Sequence, residues 1–413
     1  MRKMLEGVRV VQLANFVAAA ATGRFLADHG AEVIIVEPEK GDPIRYMNEQ
    51  EGRPFSVLEN TSWEYLNGCK KGLSVNTKTP EGKAALLKLL ETTDVLITNW
   101  RLAALQRAGL DYDTLKEKYP RLVYSMILGY GKTGPDKDLP GFDFTAFYAR
   151  GGYAENMRRR GQSCTWSAGL GDNNTGLVLA AGIMTALYTR EKTGEGDLVT
   201  ASLYETAIFN QSVMMQSTQY EGSFTLDYPI TKYEDKNPFN SSDETKEGRL
   251  VQCSAPAYND KYEAFVKSIG REDLIGDERF FPQVNMLNGH REEFIREIEE
   301  SVIKLSVDEF MDNLKTNDIP HSLCYSWKEI MDDPQAKAIG AFYEVECSNG
   351  AKRQVTHTPV RFESEGELPT DRAPLIGENS REILKSIGYS DADVDKMIAD
   401  GVLYESGPSD YEK

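Results

Sequence analysis

At 413 residues the chain is longer than one small domain needs and suits two, and its 40% hydrophobic and 27% charged content is that of a soluble globular protein. With 47 basic against 65 acidic residues it carries a formal charge of −18; such a surface repels nucleic acid and anionic membranes, so an anionic ligand must meet a local basic patch. The longest apolar run, 177–188, falls short of the ~20 residues of a membrane span, the basic start lacks the apolar stretch of a signal peptide, and five scattered cysteines without a CxxC pair suit free thiols in a reducing cytoplasm.

The stretch "VRVVQLA" (8–14) reads as a buried strand, "AAAATGRFLADHGA" as a helix and "EVIIVEP" (32–38) as a second buried strand. This βαβ unit predicts a parallel sheet. Thr79-Pro80 then opens a helix over "EGKAALLKLLETT", "DVLITNW" (94–100) is a strand, "YDTLKEKYP" a helix and "RLVYSMILGYG" (121–131) a strand. Ligands of such sheets collect at the carboxyl ends of the strands. A long helix spans about 174–191, followed by a strand at 196–203 and one helix at 204–220. Residues 221–248 are polar and read as a linker. Beyond them "RLVQCSAP" and helices near 259–268, 291–304 and 307–316 make a separate α+β domain, and the tail holds "AFYEVEC" and two capped helices, "ENSREILKSIGY" and "SDADVDKMIADG". The expected division is a large α/β domain over 1–220, a small α+β domain over 225–330, and a segment 340–413.

Several chemistries are set aside by their missing residues. Glu37 ends the second strand where a dinucleotide's ribose would be bound, but the turn "LANFVAAAATG" has alanines where a pyrophosphate needs glycines. No GxxxxGK[ST], HExxH or GxSxG occurs, and the four histidines (29, 290, 321, 357) have no ligand spacing. His29, at a helix end, reads as a cap for carbonyls. Carboxylates remain. In "GLGDNNTG", Asp172 follows Gly169 and Gly171 and precedes a helix. It could cap that helix, but Asn173, Asn174 and Thr175 are also cappers, and one suffices. The glycines allow a tight turn that leaves the carboxylate open, and a helix N-terminus is expected to keep it ionised. A carboxylate so held can attack an acyl carbonyl and form a covalent intermediate.

These residues sit within a wider pattern: "GAEVIIVEPEKGDPIR" (30–45), "CKKGLSVNTKTPEGKAALLKLL" (69–90), the run 94–135, "GLGDNNTG…REKTGEGDLVTASLYE", "DPQAKAIGAF" (333–342) and "RAPLIGENSREILKSIGY" (372–389). In this order and spacing the chain resembles the class III CoA-transferases, the family of formyl-CoA and carnitine CoA-transferases. The resemblance implies a parallel-sheet, Rossmann-like large domain built from both chain ends, a small α+β domain, and an interlocked homodimer. It implies no permanently bound cofactor, with coenzyme A and acyl-CoA as substrates and small carboxylic acids as partners. Asp172 matches the family's nucleophile, which carries first a mixed anhydride and then a CoA thioester. Asp143 matches a carboxylate that orients intermediates; read from its residues alone it is equally a cap for the helix that follows. Asn99, Trp100 and Arg107 match CoA-contacting positions, Lys70 and Lys71 a basic pair for CoA phosphates, and Phe16, Ala18 and Leu203 backbone or apolar CoA contacts.

Val17 stands where the formyl-CoA enzyme has a glutamine, which with Phe16 implies a larger and less polar acyl pocket. The glycine-rich lid of that enzyme has no counterpart in "CSAPAYNDKY" (253–262). The runs 99–123 and 134–152 resemble the subgroup that transfers CoA to (R)-2-hydroxy acids of the phenyllactate and 2-hydroxyisocaproate type in amino-acid-fermenting anaerobes. Two rival readings are weighed against this. A 2-methylacyl-CoA racemase of the same fold exchanges a proton with a histidine and an aspartate; Phe142 stands at the histidine's position, and no histidine lies between 30 and 289. A non-catalytic CoA-binding protein does not need an intact nucleophile motif.

Overall fold

Strands that are apolar along their whole length need cover on both faces, and here helices supply it. The computed structural model describes residues 3–47, 52–53, 56–165 and 167–411. From the N-terminus the chain forms β1 (Arg9–Leu13), α1 (Ala18–Asp28), β2 (Glu32–Glu37), α2 (Thr61–Asn67), β3 (Lys71–Val75), α3 (Pro80–Leu90), β4 (Val95–Thr98), α4 (Leu102–Ala108), α5 (Tyr112–Lys118) and β5 (Val123–Leu128). A π-helix at Asp143–Arg150 and the single turn α6 (Tyr153–Asn156) lead to α7 (Leu170–Thr193), β6 (Leu198–Ser202), α8 (Leu203–Asn210) and α9 (Ser212–Ser217). Later come β7 (Ser242–Glu244), β8 (Leu250–Cys253), β9 (His321–Leu323), β10 (Phe342–Glu346), β11 (Lys352–Thr356) and β12 (Leu403–Tyr404). Among the described residues no helix is long and apolar enough to cross a membrane.

The chain divides into two compact units. The first comprises 1–154, 165–221 and 335–413, the second 155–164 and 222–334. The first unit is built on a seven-stranded sheet ordered β12-β3-β2-β1-β4-β5-β6. Its strands run parallel except for β12, which returns from the C-terminus to pair antiparallel with β3 at the edge. The helices Ser380–Ser386 and Asp391–Ala399 cover that edge, with Ile383, Leu384 and Val394 buried against Leu73 and Val75. In the second unit β7, β8 and β9 form an antiparallel sheet over a core that includes Phe239, Phe265, Phe280, Phe294 and Phe310.

Residues 222–248, read from sequence as a linker, are folded into the second unit. Their polar side chains close turns instead of facing solvent as a tether. Asn237 caps the turn Pro238–Asn240 by accepting from Phe239 N, Thr231 and Glu234 form a reciprocal cap, and Lys232 pairs with buried Asp243 at 2.9 Å. Phe239, fully buried, anchors the segment. The helix expected over 204–220 is broken into α8 and α9 at Gln211, whose side-chain amide donates to the carbonyls of Gly151 and Ala207. The long helix starts at Leu170 rather than near 174.

One contact fixes the site. Helices α1 and α7 cross where Ala18, Ala21 and Thr22 meet Gly176. A β-carbon at Gly176 would sit 2.7 Å from Ala18 O, so only glycine permits the approach. The Thr22 hydroxyl donates to Gly176 O at 3.0 Å across the crossing. The alanines that exclude a pyrophosphate loop are therefore a helix-packing surface, and they hold the start of α7 against the loop after β1.

Candidate active site

Because β1 has β2 on one side and β4 on the other, the connections leave it in opposite directions, and a crevice opens at its carboxyl end. Asn99 after β4 clasps Asn15 after β1, accepting from its N–H at 3.1 Å and donating to its carbonyl at 2.6 Å. The next residue, Phe16, turns the chain with φ of +62°, a strained value for a bulky side chain. Asp42 holds that turn by accepting from Phe16 N at 3.0 Å. Asp42 is itself buried, and burial pushes its carboxyl up to about 7. The Phe16 ring meets Phe142 edge-on, centroids 6.0 Å apart, and lines a cavity of about 530 Å³ with Lys40, Gly41, Pro43, Tyr46 and Met47.

Asp172 is not a helix cap. It is the third residue of α7, whose N-cap is Gly169, left-handed at φ +81° and without a side chain to offer. The cap is supplied from 26 residues earlier. Asp143 Oδ2 accepts from Gly169 N at 2.7 Å and its Oδ1 from Gly171 N at 3.0 Å, so one carboxylate satisfies two orphan donors of the helix start. Gly171 makes this possible, since a β-carbon there would collide with Asp143 Oδ1 and the Phe147 ring. Asp143 therefore caps α7 and not the helix it begins, whose N-cap is Phe142.

Two carboxylates thus share a half-buried site, with an electrostatic consequence. Burial, and then the charge of Asp143, push the Asp172 carboxyl up to about 7. The helix N-terminus is expected to keep it ionised; lost solvation and then the like charge of Asp143 work against that. Asp143 is also raised, by burial, against the opposing pull of the two N–H donors.

A second group of side chains gathers here, of which sequence reasoning missed Tyr65, expected Val17 in the acyl pocket and read Asn173 only as a capping candidate. Tyr65 on α2, Asn173 on α7 and Val17 at the start of α1 converge on the open face of Gly169. Tyr65 is hydrogen-bonded to the Asn173 side chain, and burial first pushes its phenol up to about 12, with Asp172 and Asp143 adding to the effect. Nothing in "NTSWEYLNG" marks that tyrosine as a functional residue.

The remaining expected residues scatter. Ala18 is buried as the first residue of α1, and Leu203 as the first of α8, in a cluster with Phe147. Trp100 packs on the sheet's core and Arg107 is exposed on α4. Lys70 lies inside the fold. Its ammonium donates to Gln12 Oε1, Ala20 O and Asn67 Oδ1 at 2.8–2.9 Å, so a phosphate has neither access nor a free donor there. Burial holds this lysine well below its ordinary range. Lys71 is partly exposed and paired with Glu32 and Glu382. Glu37 is tied bidentately to Arg45 and to Asp42 N, a structural role. His29 caps no carbonyl with its ring; it is buried and pairs through Nδ1 with Glu365 at 2.7 Å. The segment 253–262 forms core, with Cys253, Ala255, Tyr258 and Tyr262 buried. Among the described residues no cluster of three His, Cys, Asp or Glu side chains is arranged to hold a metal.

Residues 5–380 match the model of CoA-transferase family III. The chain is 42% identical over 398 residues to the cinnamoyl-CoA:phenyllactate CoA-transferase of Clostridium sporogenes, covering 96% of each chain. It is 38% identical over 395 residues to the (R)-2-hydroxy-4-methylpentanoate CoA-transferase of Clostridioides difficile, covering 95% of this chain and 98% of that one. A CAIB/BAIF family protein from Brucella suis has the same fold, with a TM-score of 0.78 at 25% identity over 94% of this chain and 100% of that one.

Proposed function

From the premise that this chain belongs to CoA-transferase family III, we propose that it passes coenzyme A from an acyl-CoA donor to an (R)-2-hydroxy acid, with Asp172 as the covalent carrier. The observation that carries this is the placement of Asp172: half-buried in the first turn of α7, relieved of capping by Asp143, and made more basic by burial and then by the charge of Asp143. A poorly solvated carboxylate with a raised pKa is a better nucleophile than one in water.

The sequence of steps balances without metal or nucleotide. An Asp172 oxygen attacks the donor's thioester carbonyl; the C–S bond breaks, leaving an aspartyl–acyl anhydride and CoA thiolate. The thiolate attacks the aspartyl carbonyl and expels the donor's carboxylate, giving an aspartyl–CoA thioester. The acceptor's carboxylate then attacks that carbonyl and expels the thiolate, which takes the acceptor's acyl carbon and returns Asp172. Asp143 holds the turn that presents the carrier. The relatives named for phenyllactate and 2-hydroxy-4-methylpentanoate, together with the largely apolar cavity beside Phe16, support an acceptor with a bulky apolar side chain. The working unit is a cytoplasmic homodimer; exposed Val178, Tyr188, Phe209 and Val213 along α7–α9 support a covering copy.

The test is a transfer screen with acetate, isocaproate, cinnamate, phenyllactate and 2-hydroxyisocaproate as acceptors, with mass analysis of the Asp172 peptide after donor addition. The expected result is preference for the hydroxy acids and a trapped adduct on Asp172, absent from a folded, inactive Asp172→Ala protein. Transfer retained by that variant excludes the mechanism.

A further inference from the structure

Resting on Asp172 as the carrier, we infer that Tyr65 donates a hydrogen bond to the aspartyl carbonyl oxygen whenever a thiolate or carboxylate adds to it, and that Asn173 aims that hydroxyl.

The platform is rigid. Asn60 caps α2 by accepting from Trp63 N at 3.1 Å, and its amide donates to the carbonyls of Ile44 and Arg45. Just before Tyr65 the helix is pinned to the C-terminal segment. Trp63 Nε1 donates to Pro374 O at 3.0 Å and Glu64 accepts from Ala373 N at 2.6 Å. The Arg45 guanidinium lies 3.5 Å from the centre of the Trp63 ring. The Tyr65 ring packs with Val17 and Met47 against the core around Ala20 and Ile35.

Its hydroxyl reaches the carrier's own turn. A β-carbon at Gly169 would have Asn173 Nδ2 at 3.7 Å, Tyr65 Oη at 3.8 Å and Val17 Cγ1 at 3.8 Å, so three side-chain tips meet over a residue that has none. With the Asn173 amide donating to the phenolic oxygen, one lone pair is used and the O–H proton stays available. Among the described residues that proton has no acceptor. The phenol is held protonated, up to about 12, so it remains a donor at any working pH.

The chemistry requires such a group. All four steps make or break a bond at the aspartyl carboxyl, and the two additions to its carbon place negative charge on its oxygen beside the carboxylate of Asp143. An oxyanion there is unfavourable without a preorganised donor. The lysines expected from sequence do not supply one, since Lys70 is enclosed and Lys71 is paired on the far edge of the sheet. Tyr65 keeps its proton throughout; the oxyanion collapses by expelling thiolate or carboxylate, and no bond to Tyr65 forms or breaks.

Tyr65→Phe tests this. The expected result is a kcat lowered about 10²-fold, KM values for donor and acceptor within about threefold, and a larger steady-state fraction of Asp172 carrying an adduct, because resolution of the carrier slows more than its first loading. Asn173→Ala should lower kcat less, and Tyr65→Phe/Asn173→Ala should be no slower than Tyr65→Phe alone, since the amide acts only through the hydroxyl. A merely structural tyrosine would lower activity and adduct together. That outcome, or a Tyr65→Phe enzyme with undiminished kcat, or fully additive losses in the double variant, overturns the assignment while leaving Asp172 as carrier. Wild-type protein that shows no Asp172 adduct overturns the carrier and this assignment together.

Discussion

Replacing Asp172 by asparagine should stabilise the ligand-free protein, and only at higher pH. Burial and Asp143 move this carboxyl from its ordinary 3.8 up to about 7, which means that the fold favours its protonated form. By linkage, the stability it contributes is fully present below about pH 4 and is lost as pH rises through about 7. Each tenfold change in proton affinity is worth about 1.4 kcal/mol, so the displacement sets a ceiling near ~4 kcal/mol. The side chain is partly exposed, and solvent screening reduces the expected figure to about 1–2 kcal/mol. Asparagine has nearly the same shape and no charge to desolvate. Urea unfolding of wild type and Asp172→Asn should therefore coincide near pH 4, diverge between pH 4 and 7 in favour of the variant, and hold a constant gap above pH 7. Asp42 and Glu64 are also raised to about 7 by burial, so both proteins soften as pH rises; the diagnostic quantity is the difference between them. A gap independent of pH, or a less stable variant at pH 8, would refute the reasoning.

The same displacement sets the pH profile of the reaction. Because the ionised carboxylate is the nucleophile, kcat/KM for the acyl-CoA donor should rise about tenfold per pH unit up to about 7 and level off; Asp143→Asn should shift that limb to lower pH and lower the plateau, and an unmoved limb contradicts the coupling. Lys70→Ala orphans three buried acceptors at ~1–3 kcal/mol each, so it should yield an unstable protein, whereas Lys71→Ala, which breaks two partly exposed ion pairs, should change stability by under ~1 kcal/mol. A stable Lys70→Ala protein with only a raised KM for acyl-CoA would return that lysine to the CoA site. Gly171→Ala should abolish transfer, because the added methyl displaces Asp143 from the two N–H groups it holds; normal activity would show the cap to be dispensable.

The parts of this molecule that were legible in sequence are those whose signals are local. Strands β1, β2, β4 and β5 are short apolar runs bounded by turn residues, and α3 announces itself by Thr79, which accepts from Gly82 N, and Pro80. Strand β3 was not read, because "KGLSV" has two large apolar residues and a glycine whose absent side chain admits Pro374 and Leu375 from 300 residues away. The π-helix at 143–150 follows no 3.6-residue period. Asn173, Asn174 and Thr175 look like caps, and predicted a later start for α7, but the cap that acts comes from Asp143. The two lysines at 70 and 71 were legible in principle, since neighbours entering a strand point to opposite faces and only one can stay in water.

The arrangement of Asp143 and Asp172 separates two demands that a single residue could not meet. A helix N-terminus needs an acceptor for its free N–H groups, and the side chain that provides it is tied down and made less basic by doing so. A covalent carrier needs the opposite, an untied and basic oxygen. Delegating the cap to a distant residue frees the carrier, and choosing a carboxylate for the cap adds a charge that raises the carrier's basicity further. The glycines follow from this division: Gly169 leaves the cap position empty, and Gly171 lets Asp143 come close enough to fill it. Fewer carriers are ionised at neutral pH as a result, a modest loss with the carboxyl raised to about 7.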